Sequence, residues 1–218
     1  MIFDELVKTT SSLKSLKQKT DLKNNKALQD NTDARYRIVL SQTQSFVDVI
    51  EYLYTETSIE RNDEILEALS NLLQNLENAV QDGLASQNVV SDAETSFKTL
   101  QISMKKDWSK QYSNLTGAAI STLEAVKGID PDNVTACLNK IQGAEEWKPV
   151  LSQFQLMTKG VQEADQLILR LGLDTEIIQF LQSTNSGRAT LKDLNDKVLE
   201  WLRNENLEGK IRISFVKK

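Results

Sequence analysis

Glu60, Asp63, Glu64 and Glu67 stand three and four residues apart, so a helix would gather them on one face, as carboxylates are gathered to hold Mg²⁺ in all-helical nucleotide hydrolases. That chemistry also requires a second acidic helix of matching spacing and a Lys or Arg for the phosphate. The sequence supplies no such partner helix, and a solvated acidic face is the simpler reading. Asp130 and Asp132 flank Pro131 in a pattern that superficially resembles a cation or phosphate loop, but an N-cap Asp followed by Pro at the first helical position accounts for it. The single cysteine, Cys137, reads as a small buried residue on a short helix, and it cannot form an internal disulfide.

The absence of histidine removes the commonest general base and the commonest metal ligand together. Zinc centres and Ser-His-Asp or Cys-His machinery are thereby excluded, and no glycine-rich phosphate loop is present. The expectation is a chain without catalytic, cofactor-binding or metal-binding residues. Its chemistry would then lie in the surfaces that its helices present to other molecules.

Those helices follow from the punctuation. With two prolines and eight glycines in 218 residues there are few places where a helix must stop, so long helices are expected. Residues 1 to 30 carry Ile2, Leu6, Thr9, Leu13, Leu16, Thr20, Lys23 and Ala27 at alternating spacings of four and three, a coiled-coil seam with several polar positions. Such a seam requires a covering helix, from the same chain or another. The run Asp30-Asn-Thr-Asp33 reads as a loop, and Ala34 to about Thr57, with apolar residues from Tyr36 to Tyr54, as a core-facing helix. Thr57-Ser58 are candidate caps for a further stripe, Ile65 to Val80, which stops at Asp82-Gly83; one kinked helix over both stripes is the alternative.

Val90, Ala93, Phe97, Leu100, Met104, Trp108, Tyr112, Leu115, Ala119, Leu123 and Val126 hold helical spacing without a proline, which predicts one helix over residues 86 to 127. At 1.5 Å per residue it would reach about 60 Å, more than a compact domain of this length requires. A short helix over 131 to 142 and a longer one over 150 to 171 follow, the latter ending at Gly172. The remaining pieces are short, with Asp174, Thr190 and Asn195 as caps. The tail Lys210-Ile-Arg-Ile-Ser-Phe-Val alternates apolar and basic residues, the period of a strand.

The predicted fold is therefore all-α: an elongated bundle of long, coiled-coil-like helices over residues 1–171, then a small helical module over 172–218 with one terminal β-strand at 210–216. A lone strand must find hydrogen-bond partners, in its own chain or at a partner's sheet edge. Leu6, Leu13 and Leu16 of the seam, Trp108 and Trp201 as aromatic anchors, and Ile211, Ile213 and Phe215 of the tail are the candidate partner-binding residues.

Charge is segregated along the chain. From Glu56 to Glu94 nine acids face only Arg61, a local balance of −8, whereas residues 1 to 28 carry a local +3. The two stretches could attract one another within a bundle or between subunits. Lysines occur around Trp108 and at the C-terminus, but the net charge of −5 opposes non-specific binding to phosphates. Nucleic acid is expected only indirectly, through a complex. No run approaches the roughly 20 apolar residues of a membrane span, and Met1-Ile-Phe-Asp-Glu does not read as a secretory signal, so a cytoplasmic location is expected.

The closing block, Leu171-Gly-Leu-Asp-Thr-Glu-Ile-Ile, then Ala189-Thr-Leu-Lys-Asp-Leu, Val198-Leu-Glu-Trp-Leu and Ile211-Arg-Ile-Ser-Phe, resembles the ends of small helical accessory proteins encoded beside ATPases in bacterial anti-phage defence operons. The resemblance implies an accessory subunit role, and the uncovered N-terminal seam with the lone tail strand leads to the expectation of a non-catalytic subunit that docks on a larger machine, such as an ATPase or an SMC-like protein. A homo-oligomer, a self-assembling scaffold or a membrane-acting helical protein is the alternative, and the lack of an apolar hairpin opposes insertion.

Overall fold

A computed structural model describes residues 11–16, 30–81 and 84–210, and its class is all-α as expected. Residues 11–16 are helical. Helix α1 spans Asp30–Glu56, α2 Asp63–Asn78, α3 Gln87–Val126, α4 Pro131–Gln142, α5 Leu151–Arg170, α6 Thr175–Asn185 and α7 Asp196–Asn204. Single turns of 3₁₀ helix lie at Leu191–Asp193 and Glu208–Lys210.

Three details depart from the sequence reading. Helix α1 already begins at Asp30, where a loop was expected. The break between α1 and α2 is real, but its cap is Asn62, whose Oδ1 accepts from the N–H groups of Glu64 (3.1 Å) and Ile65 (3.4 Å). Thr57 instead closes the end of the preceding helix, its N–H (3.2 Å) and its hydroxyl (2.5 Å) both donating back to Leu53 O. Finally, Val80–Gln81 (β1) and Leu84–Ala85 (β2) form a two-residue antiparallel ladder on either side of the expected stop at Asp82-Gly83, where no strand was read, with Val80 opposite Ala85 and Gln81 opposite Leu84. The expected strand 210–216 lies outside the described residues except for Lys210, which belongs to a 3₁₀ turn.

The chain divides into two compact units, neither of them continuous in sequence: Met1–Leu115 with Gly143–Leu156, and Thr116–Gln142 with Met157–Lys218. The boundary expected at 171/172 falls inside the second unit. Its cause is visible in the contacts of the last helices. Trp201 Nε1 donates to Leu171 O (3.1 Å), Gln182 Nε2 to Ser121 Oγ (3.1 Å) and Asn185 Nδ2 to Glu124 O (2.8 Å), so α6 and α7 are bound to the ends of α3 and α5 rather than set apart.

In the first unit an aromatic cluster joins three remote stretches of chain. Phe46 of α1 meets the Trp147 ring edge-on at 5.5 Å between centroids, and Trp108 of α3 lies 5.8 Å from Trp147 and 5.1 Å from Phe154. Both indoles that enter this cluster keep a partner for their N–H. Trp108 Nε1 donates to Ala144 O (2.8 Å) and Trp147 Nε1 to Gln101 Oε1 (2.9 Å). Ile50 of α1, Leu72 of α2 and Leu100 of α3 are fully buried in the same unit.

The irregular link 57–62 is held by Gln111, a buried side chain of α3. Its amide accepts from Glu60 N (3.4 Å) and donates to Glu60 O (3.3 Å), pairing with the backbone as a neighbouring strand would. Arg35 and Glu94 tie α1 to α3 through two hydrogen bonds, at 2.9 and 2.5 Å. That donation holds the Glu94 carboxyl below the ordinary glutamate value and raises the Arg35 guanidinium above its own.

In the second unit α4 and α5 approach closely at Gly160. A Cβ placed there would lie 2.9 Å from Ile141 Cγ1, 2.9 Å from Lys140 Cβ and 3.2 Å from Cys137 O. Lys140 and Glu163 pair beside this contact. Helix α5 ends in a Schellman motif: Gly172 takes φ +61, Gly172 N donates to Leu169 O (3.1 Å), and Leu173 N to Ile168 O (3.1 Å). Asn206, with φ 54, closes α7 in the same way.

Candidate interaction surfaces

Of the eight residues expected to reach a partner, the four that are described are covered by the chain itself. Leu13, Leu16, Trp108 and Trp201 are all buried, with Trp108 at 1% exposure and Trp201 at 6%. Their apolar surface is covered and both indole N–H groups are satisfied, so none of the four is an exposed anchor. Leu6, Ile211, Ile213 and Phe215 lie outside the described residues.

The four carboxylates singled out by spacing are brought to the surface. Asp63, Glu64 and Glu67 are exposed on α2, and Glu60 is exposed in the link before it. No described group of three or more His, Cys, Asp or Glu side chains is arranged to hold a metal ion. Asp130 caps α4, accepting from Asn133 N (3.4 Å), and takes further bonds from Asn133 Nδ2 (2.8 Å) and Arg170 Nη2 (3.1 Å), so its carboxylate is occupied structurally. Cys137 is buried on α4; burial, reinforced by Glu163, pushes its thiol up, which keeps it protonated and weakly nucleophilic at neutral pH. Asp174 caps α6 and is held below its ordinary value first by the bond from Lys197 (2.8 Å) and then by the Ile177 N–H.

Other apolar residues occupy the outside. Leu169, at 78% exposure, stands on the last turn of α5, and Leu191, at 64%, opens the 3₁₀ turn before α7. In the first unit Ile38 is exposed on α1 and Ile102, at 71%, on α3. Sequence reasoning passed over them because a single apolar residue off the core stripe is ordinary on any helix. Their one signal is phase: Ile102 falls between Leu100 and Met104, out of step with both.

Around Ile102 the outer side of α3 is basic. Lys98, Lys105, Lys106 and Lys110 are exposed, and no acid occurs between Thr95 and Lys106. Lys105 and Lys110 keep loose pairs with Glu146 (3.5 Å) and Glu60 (3.8 Å). The outer side of α2 has the opposite sign, with Asp63, Glu64, Glu67 and Glu77 exposed and no base along the helix.

No protein-family model, curated protein or solved structure matches this chain. Among the described residues no helix is long and apolar enough to cross a membrane.

Proposed function

We propose that this chain is a non-catalytic helical subunit that docks on a larger protein machine in the cytoplasm, an ATPase or SMC-like partner of a bacterial defence system being the reading that its closing block suggests. Nucleic acid would be reached only through that complex. The long helices, coiled-coil-like in their spacing, serve in this reading as an elongated frame for docking surfaces.

The observation that supports it is Leu169, a large apolar side chain left 78% exposed on the last turn of α5. It lies two residues before the block that resembles the accessory proteins. Covering such a side chain with a partner would contribute about 1–2 kcal/mol, enough to shift binding roughly tenfold. A Leu can be replaced there without opening the chain's own core, which makes the position a clean probe.

The test is co-expression of the tagged chain with the products of the genes encoded beside it. A neighbour should co-purify with the wild type, and Leu169→Asp should reduce its recovery about tenfold. Recovery of no neighbour, or recovery indifferent to Leu169→Asp and also to removal of residues 208–218, would count against this function.

A further inference from the structure

Helix α2 and the part of α3 up to Leu115 belong to the same compact unit and send their apolar stripes inward, Leu69, Leu72 and Leu76 from one and Leu100, Met104 and Trp108 from the other. Their outward sides carry opposite charge. On α2 the acids run from Glu64 to Glu77, about 20 Å at 1.5 Å per residue; on α3 the lysines run from Lys98 to Lys110, about 18 Å. The two charged strips therefore match in length as well as in sign.

Among the described residues neither strip is fully neutralised: only Lys105 and Lys110 of the lysine strip keep loose pairs, with Glu146 and Glu60. No ion pair among the described residues engages Glu64, Glu67 or Glu77 on α2, or Lys106 on α3, and Lys98 acts on Glu94 only at longer range. The lysine strip also holds Ile102, whose exposure gives the surface an apolar centre with a charged rim, the composition of a protein interface rather than of a uniformly solvated helix.

We propose that the first unit pairs with the first unit of a second copy, the acidic outer face of α2 on one lying along the basic outer face of α3 on the other. Because each copy offers both faces, a two-fold arrangement forms the contact twice. Ile102 is then covered at each contact. Exposed ion pairs are individually weak and screened by salt, so the dimer is a low-salt species that separates as ionic strength rises. This pairing uses the first unit, whereas the docking surface proposed above lies in the second, and the two succeed or fail separately.

Charge exchange tests it. Glu64→Lys/Glu67→Lys/Glu77→Lys gives a chain with two basic faces, and Lys98→Glu/Lys106→Glu/Lys110→Glu gives one with two acidic faces; all six side chains are exposed, and circular dichroism checks that each variant folds. By light scattering or sedimentation at about 0.05 M salt the wild type should have twice the chain mass, falling to one chain near 0.5 M. Each variant alone should be monomeric, while an equimolar mixture restores the doubled mass, because both contacts again join opposite charges. The milder Lys98→Gln/Lys106→Gln should weaken association by about tenfold and stands in should a reversal fail to fold. A wild type that is monomeric at low salt, a dimer untouched by the reversals, or a mixture that stays monomeric overturns the proposal. Leu169→Asp leaves the mass unchanged.

Discussion

Placing a methyl group at Gly160 tests the closeness of α4 and α5. Alanine normally strengthens a helix interior by about 1 kcal/mol relative to glycine, so on propensity alone Gly160→Ala should stabilise the protein. The structure argues for the reverse. The new Cβ would lie 2.9 Å from both Ile141 Cγ1 and Lys140 Cβ and 3.2 Å from Cys137 O. Lys140 Cβ is bonded to the backbone of α4 and Cys137 O belongs to it, while Ile141 Cγ1 is part of a buried branched side chain, so relief requires the helices to separate rather than a flexible side-chain end to swing away. Overpacking of this kind costs about 1–3 kcal/mol, which outweighs the propensity gain and leaves a net loss of about 1 kcal/mol. For a chain of this length that lowers Tm by about 2–4 °C. Urea denaturation followed by helical circular dichroism and by the fluorescence of Trp201, in the same unit, measures it. Gly128→Ala is the internal standard: it has no neighbour within 4 Å of a built Cβ and its φ is not positive, so it should be neutral or gain about 0.5 kcal/mol. Should Gly160→Ala prove as stable as Gly128→Ala, the close contact of α4 with α5 is wrong.

Two other perturbations probe the first unit. Glu94 titrates below its ordinary 4.5 because Arg35 donates to it, so its contribution to stability is complete above that pH and is lost as pH falls through the lower folded value. The urea midpoints of the wild type and Glu94→Gln should therefore differ most near neutrality and converge as pH falls below 4.5; a gap that persists into acid contradicts the pairing. Gln111→Ala removes the acceptor of the Glu60 N–H and the donor to its carbonyl, at a cost of about 1–2 kcal/mol. Amide exchange at Glu60 should accelerate severalfold, and an unchanged rate would show that the link is held by something else.

The long helices were legible because their signal is local and repetitive. From Val90 to Val126 each turn supplies a stripe residue, and α3 runs through Gly117 without interruption. Pro131 and Gly172 marked ends for an equally local reason, a fixed φ in one case and a positive φ in the other. The β1–β2 ladder was not legible from periodicity, since two residues contain no period; only Asp82-Gly83, a hairpin dipeptide, hinted at it. The unit boundary was hidden for a different reason. Phe46, Trp108, Trp147 and Phe154 meet across long separations, and nothing in any one stripe tells which other stripe will cover it. The same gap explains why Trp108 and Trp201 read as interface anchors yet lie buried: they have the type that anchors interfaces, but type does not distinguish the inside of one's own fold from the inside of a complex.

The interleaving of the two units sets the order in which a newly made chain can complete them. Residues up to Leu115 supply most of the first unit, yet Trp147 and Phe154, which close its aromatic cluster, emerge from the ribosome only after the segment 116–142 that belongs to the second. During that interval Phe46 and Trp108 lack these covering rings, so elongation pauses between residues 115 and 156 expose the nascent chain to aggregation and holding chaperones. Synonymous codon changes in that stretch should consequently alter yield far more than equal changes after residue 156.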